Sequence, residues 1–237
     1  DHRDLHSFPT RRSSDLWRLR LVKIPAHLQE IWMEGLRLRG QVDANVSLYL
    51  WPTTELGIEA STLEVHTATL STDRPLATNL SASAQIQLGV VQLDRDEVQR
   101  ILGTLNAQLT LSAQIESFAL LDGYLSGAEW VRFGQSHGQI KAEVRVDRGA
   151  LLTGTHVVLE PATVRINAAK HYFSGQGRIR WEVSDEGSSR RGRLDVGLAR
   201  FEVDRGPRSP TLARGRNLGF TLVGNDPTLL APLSDLD

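Results

Sequence analysis

Apolar and polar residues alternate with a period of two along most of this chain. In "LNAQLTLSAQI", residues 105–115, Leu, Ala or Ile fills every odd position, and Asn, Gln, Thr or Ser fills every even one. Successive side chains of a β-strand point to opposite sides of the sheet, so this pattern predicts a strand with one apolar and one polar face. The same alternation recurs at 42–50, 140–146 and 179–183. We therefore predict an all-β fold of long strands.

Two short segments are expected to be helical. After Pro25, "AHLQEIWMEGL" places Leu28, Ile31 and Trp32 on one side of a helix, which predicts a helix near 25–34. "DRDEVQRIL", 94–102, has helical spacing behind acidic residues and predicts a second helix. The uncharged segment 75–93 alternates Ser and Gln with apolar residues, so we predict a strand there and not a membrane-spanning helix.

The predicted strands are joined by brief connections. These are "DRGA" at 147–150, "EP" at 160–161 and the longer "SDEGSSRRG" at 184–192. Brief connections imply antiparallel neighbours, because a parallel crossover needs a dozen or more residues. The apolar phase slips between Leu198 and Phe201, which predicts a β-bulge.

A degenerate repeat also runs through the chain. The pattern Gly-x-aliphatic-x-Ala-x-aliphatic begins at Gly40, Gly103 and Gly138, and related words that lack the Ala begin at Gly177 and Gly192. One interpretation is a strand-and-turn unit reused along a continuous sheet. The other is that any antiparallel meander produces such words.

The apolar positions of the predicted strands form a candidate binding face. Its members are Val42, Ala44, Val46, Leu105, Ala107, Leu109, Leu111, Ile140, Ala142, Val144, Ile179 and Trp181. One hypothesis is a curled sheet or groove, or a flattened barrel, whose apolar lining holds an apolar ligand. The alternative is a β-sandwich, in which these side chains form a closed core of a structural or adhesion module.

Composition and motifs argue against catalysis and against nucleic acid binding. The formal net charge is −1, from 27 Lys and Arg against 28 Asp and Glu, so no overall basic field favours nucleic acid. Cysteine is absent, and the histidines beyond the first sixteen residues, at 27, 66, 137, 156 and 171, lack metal-ligand spacing. "GQSHG", 134–138, fits the G-x-S-x-G nucleophile motif, but a predicted strand follows Ser136 where a helix is required. We expect no enzyme activity, no cofactor and no metal.

The segment from Gly138 to Val183, "GQIKAEVRVDRGALLTGTHVVLEPATVRINAAKHYFSGQGRIRWEV", resembles the repeating β-groove proteins of the Gram-negative envelope. This superfamily includes AsmA-like proteins and the translocation and assembly module subunit TamB. The resemblance covers about 35–222 and implies a half-pipe whose concave apolar face carries phospholipid or other apolar cargo between inner and outer membranes. It also implies a periplasmic location and an inner-membrane anchor in the parent protein.

The first sixteen residues, "DHRDLHSFPTRRSSDL", differ from the rest of the chain. They show no sustained period and no apolar face, and they resemble the translation of a sequencing-library adapter. We expect 1–16 to be a non-native segment and 17–237 to be a single repetitive all-β domain, a fragment of a longer protein.

Deletion of residues 1–16 should leave the melting temperature unchanged, because no predicted strand includes them. Differential scanning calorimetry of the full and shortened chains checks this. A drop of several degrees would instead show that the segment packs on the fold, because such a shift corresponds to a loss of about 1 kcal/mol or more in the free energy of unfolding.

Overall fold

The computed structural model of the chain describes residues 19–33, 35–51, 55–92, 98–119, 121, 131–133, 136–168, 171–186, 189–205 and 210–225. The predicted adapter segment 1–16 lies outside them. The strands are β1 Leu19–Met33, β2 Leu36–Trp51, β3 Glu55–Ser71, β4 Pro75–Gln92, β5 Leu105–Ile115, β6 Val131–Phe133, β7 Gly138–Asp147, β8 Ala150–Leu151, β9 His156–Ala168, β10 His171–Glu186, β11 Ser189–Asp204 and β12 Thr211–Asn225. A short helix, α1, spans Val98–Leu102.

All twelve strands belong to one antiparallel sheet. Its order is β1-β2-β3-β4-β5-β7-β9-β10-β11-β12, with β6 also pairing with β9 and β8 also pairing with β7. In the described residues β1 pairs only with β2 and β12 only with β11, so these two strands are the edges of an open sheet. The prediction of an all-β, antiparallel fold with long strands is confirmed. The sheet is not closed, so the flattened-barrel variant of that prediction is wrong.

The predicted helix at 25–34 is wrong, because residues 25–33 lie in β1. The register against β2 shifts between Leu28 and Glu30, so Leu28 faces Val42 and Ile31 faces Leu38. This bulge puts two apolar residues three apart on the same face of a strand, and their spacing imitates a helix. Pro25 is tolerated because β1 is an edge strand.

The second predicted helix and the uncharged strand are confirmed within the described residues. Helix α1 covers 98–102, and residues 93–97 lie outside the described residues. Strand β4 covers 75–92 of the uncharged segment. Among the described residues, no helix is long and apolar enough to cross a membrane.

One of the three predicted connections is a turn, as expected. Arg148 and Gly149, with φ of 47° and 77°, turn the chain between β7 and β8. Residues 160–161 instead lie inside β9, where the register against β10 shifts, and a strand bulge accommodates a proline that lacks an N–H. The loop predicted at 184–192 is also wrong in extent, because Glu186 of β10 pairs with Ser189 of β11. Polar residues on both faces near the strand ends hide the alternation there.

The predicted bulge between Leu198 and Phe201 is confirmed. Gln176 pairs with Arg200 and Gly177 with Leu198, so Ala199 is the extra residue of β11. A Cβ on Gly177 would lie 1.9 Å from the Gly197 carbonyl oxygen. The glycine of the repeat word at 177 therefore lets two backbones approach closely at the bulge.

Gly177→Ala should lower the free energy of unfolding by about 1–3 kcal/mol, because the new methyl group must push two strands apart. Urea denaturation measures the change. Gly197→Ala is the matched control, since its Cβ would meet nothing closer than 3.9 Å. Equal midpoints for the two variants would contradict the close approach.

Candidate functional site

Strand register aligns apolar side chains into rows that cross the sheet. The longest row contains one residue from each of ten neighbouring strands, and every member is apolar: Leu28, Val42, Val65, Ala82, Leu111, Ala142, Val157, Trp181, Leu194 and Leu222. Nine inter-strand spacings of about 4.8 Å make this row about 43 Å long. We call this row the long row, and its side of the sheet the apolar face.

All twelve residues of the predicted binding face lie on the apolar face. Four of them, Val42, Leu111, Ala142 and Trp181, belong to the long row. A second row holds three more and reads Ala44, Leu63, Ala84, Leu109 and Val144. A third row holds Ile140 and Ile179 and reads Ala113, Ile140, Leu159, Ile179, Val196 and Phe220. The last three are paired with apolar residues: Val46 with Ile24, Leu105 with Leu88, and Ala107 with Ile86 and Val146.

The apolar face is also the hydrophobic core of the described chain. The three clusters of buried apolar side chains centre on Val42, Leu159 and Val146, and each of these residues lies on this face. The described strands form one sheet, so no second sheet among them packs over it. The face is therefore a lining of a single layer.

The two ends of the long row are its most exposed positions. Val42 is 1% exposed, whereas Leu28 and Leu222, the two ends of the long row, are 43% and 42% exposed. Of the twelve predicted face residues, Val42 and Ile179 are buried and the other ten are partly exposed. An apolar lining with this accessibility can admit an apolar ligand.

Phe118 is a core residue that the sequence analysis missed. It is 0% exposed and packs over Gly138, where a Cβ would lie 2.6 Å from its ring. Phe118 follows β5 in a segment without alternation, so no period-2 pattern could have identified it. Its ring covers part of the apolar face near Leu159 and Leu198.

The opposite, polar face carries charge pairs arranged along single strands. The guanidinium Nε donates to a carboxylate two residues away in Arg145–Glu143 at 2.8 Å, Arg180–Glu182 at 2.8 Å and Arg193–Asp195 at 2.9 Å. Residues two apart on a strand share a face, so these pairs need no tertiary arrangement. They neutralise the charge of these three arginines locally.

Two carboxyl groups of the polar face have lowered pKa values. Hydrogen bonds from Arg193 and then from the Thr221 hydroxyl lower the pKa of Asp195. Hydrogen bonds with His27 and then Gln41 lower the pKa of Asp43. In both cases a neighbouring strand supplies a partner, which ties β12 to β11 and β1 to β2.

The described part of the chain shows the surroundings of Ser136 and of the His and acidic side chains. The Ser136 hydroxyl accepts a hydrogen bond from the Thr163 N–H at 2.9 Å, and strand β7 follows it. In the described ranges, no group of three or more His, Asp or Glu side chains could hold a metal ion.

Comparisons with known proteins give no match. No protein-family model, no curated protein and no solved structure is significantly similar to the chain.

The lowered pKa of Asp195 has a measurable consequence. Its ion pair stabilises the fold at pH values above the ordinary range of an aspartate, and this contribution is lost as the pH falls toward the lowered pKa. Carbon-13 NMR titration of the carboxyl group should show a higher pKa in Arg193→Gln and a smaller rise in Thr221→Val. The same pKa in both variants and the parent would contradict the assigned hydrogen bonds.

Proposed function

We propose that this chain is a non-catalytic β-groove segment that binds or conducts lipid on its apolar face. The observation that carries the proposal is the long row, which is apolar without interruption across ten strands. A continuous apolar surface of this kind is rare on a soluble protein unless it binds something.

The dimensions of the row favour acyl chains as the ligand. The hydrocarbon core of a bilayer is about 30 Å thick, so the chains of one leaflet extend over about half of that. A row of about 43 Å exceeds this length. A phospholipid or another apolar cargo of similar size therefore fits along the face without leaving it.

The cellular setting is part of the same proposal. The resemblance to AsmA-like and TamB-like proteins supports a Gram-negative envelope protein that contacts inner and outer membranes through other parts of its parent. It also supports a periplasmic location with an inner-membrane anchor in that parent. The open single sheet agrees with the half-pipe expected for such proteins.

Leu109→Lys should abolish lipid uptake at a modest stability cost, about 1–3 kcal/mol. Leu109 lies between Ala84 and Val144 on the apolar face and is partly exposed, so the new ammonium group can reach water. The assay is uptake of a fluorescent fatty-acid analogue, together with mass spectrometry of lipids extracted from the purified parent chain. Thr110→Lys is the matched control, because Thr110 is the next residue along β5 and is exposed on the polar face.

The opposite outcome identifies the alternative function. In a closed sandwich core, the Lys introduced at position 109 would be buried without a partner and would cost several kcal/mol. If Leu109→Lys unfolds the chain and the parent binds no lipid, the apolar face is a closed core. The chain would then be a structural or adhesion module.

A further inference from the structure

Five arginines converge on the polar face near edge strand β12. They are Arg132, Arg165, Arg200, Arg214 and Arg216. One polar row reads Arg132, Arg165, Ser174, Glu202 and Arg214, and the adjacent row reads Thr163, Gln176, Arg200 and Arg216. We call these nine residues the arginine patch.

The patch contains two pairs of arginines placed directly opposite each other on neighbouring strands. Arg132 faces Arg165, and Arg200 faces Arg216. Like charges directly opposite in a sheet destabilise it. The register therefore maintains two repulsive contacts that an anion between the guanidinium groups would relieve.

Protein carboxylates neutralise only a small part of this charge. Glu202 accepts from the Arg214 Nε at 2.9 Å. In the structure as described, the side chains of the other four arginines make neither a hydrogen bond nor an ion pair. The next carboxylate along β11 is Asp204, which faces Tyr172 and Thr211 outside the patch.

Three other arginines on the polar face have a carboxylate partner on their own strand. Arg145, Arg180 and Arg193 each donate to a carboxylate two residues away on their own strand. The positions two residues before and after Arg200 are Leu198 and Glu202. The Glu202 carboxylate is already paired with Arg214. The patch thus differs from these three pairs, because four of its guanidinium groups have no carboxylate partner among the described residues.

The patch also has the shape and size of a binding site. Eight of its nine residues, all except Arg132, line an open cleft of about 800 Å³. Between the arginines the cleft offers neutral hydrogen-bonding groups on Thr163, Ser174 and Gln176. Four inter-strand spacings make the patch about 19 Å wide, which is wide enough to surround a phosphate group.

We propose that the arginine patch binds a phosphate group, carried by a lipid headgroup or by a small soluble molecule. A guanidinium donates two parallel hydrogen bonds to phosphate oxygens, and it stays charged at any physiological pH. Arg200 and Arg216 donate hydrogen bonds to the phosphate from adjacent strands. The side chains of Thr163, Ser174 and Gln176 make its remaining hydrogen bonds. This site is separate from the apolar face and does not depend on lipid binding there.

The test measures binding of inorganic phosphate and glycerol phosphate to the full chain by isothermal titration calorimetry. Vesicles of phosphatidylcholine, with and without phosphatidylglycerol, are tested in parallel by co-sedimentation. Arg200→Gln/Arg216→Gln should weaken binding by about tenfold or more, because each charge-assisted hydrogen bond is lost. Arg132→Gln/Arg165→Gln should weaken it as well. Arg145→Gln/Arg180→Gln is the matched control, which removes the same charge from the same face outside the patch and should bind like the parent.

Thermal unfolding without ligand gives an independent readout. Arg200→Gln/Arg216→Gln should melt at or above the parent temperature, because the variant removes the repulsion between the two strands. A large drop in melting temperature would contradict the claim that Arg200 and Arg216 repel each other without a neutralising partner. The Leu109→Lys chain should keep its phosphate binding, so failure of the lipid proposal and failure of this one are distinguishable.

The pattern of ligands identifies the source of the phosphate. Binding of the soluble phosphates supports a small-molecule ligand, and binding only to phosphatidylglycerol vesicles supports a lipid headgroup. Equal weakening in the patch variants and the control would show diffuse electrostatic attraction and overturn the site. No binding of either kind would also overturn it, as would preferential binding of a DNA oligonucleotide over both.

Discussion

The structure depends on keeping ten long strands in the same side-chain phase. A slip of one residue in any strand would turn its whole apolar set to the polar side. Bulges maintain the phase where the sequence pattern breaks. The extra residue at Ala199 returns Phe201 to the face of Leu198, and the shift in β1 returns Ile31 to the face of Leu28.

A single layer distributes the hydrophobic core differently from a packed domain. The buried side chains lie in rows that run along the sheet, so each strand is stabilised mainly by its two neighbours. In the long row Val42 and Val65 are buried and the six residues from Ala82 to Leu194 are partly exposed, whereas the ends at Leu28 and Leu222 are exposed. The face that stabilises the fold is therefore the same face that is proposed to meet a ligand.

The sequence was sufficient to predict which residues of most strands lie on each face of the sheet, because alternation is a local property. The twelve residues that it predicted for one face do lie on the same side of the sheet, but the positions of Val65, Val157 and Leu194 beside them follow only from the strand order. The helix predicted at 25–34 was wrong because a bulge produces the same spacing as a helical turn. Phe118 could not be predicted, because it lies outside the alternating strands and is buried by packing over Gly138. The arginine patch could not be predicted either, because alternation shows that Arg200 and Arg216 are polar positions of their strands but not that they lie directly opposite each other.

The two edges of the sheet differ in how readily another strand could add to them. In β1, Lys23 has a positive φ of 50°, Pro25 lacks an N–H group, and two register shifts interrupt the strand. Such irregularities are the usual protection of an edge against uncontrolled pairing. In β12, residues 218–225 pair with β11 without interruption and present a regular row of backbone groups on their outer side. β12 also contains a residue with positive φ, Asn217 at 59°, so among the described edge residues the regular segment 218–225 is the part best suited to pair with a further strand.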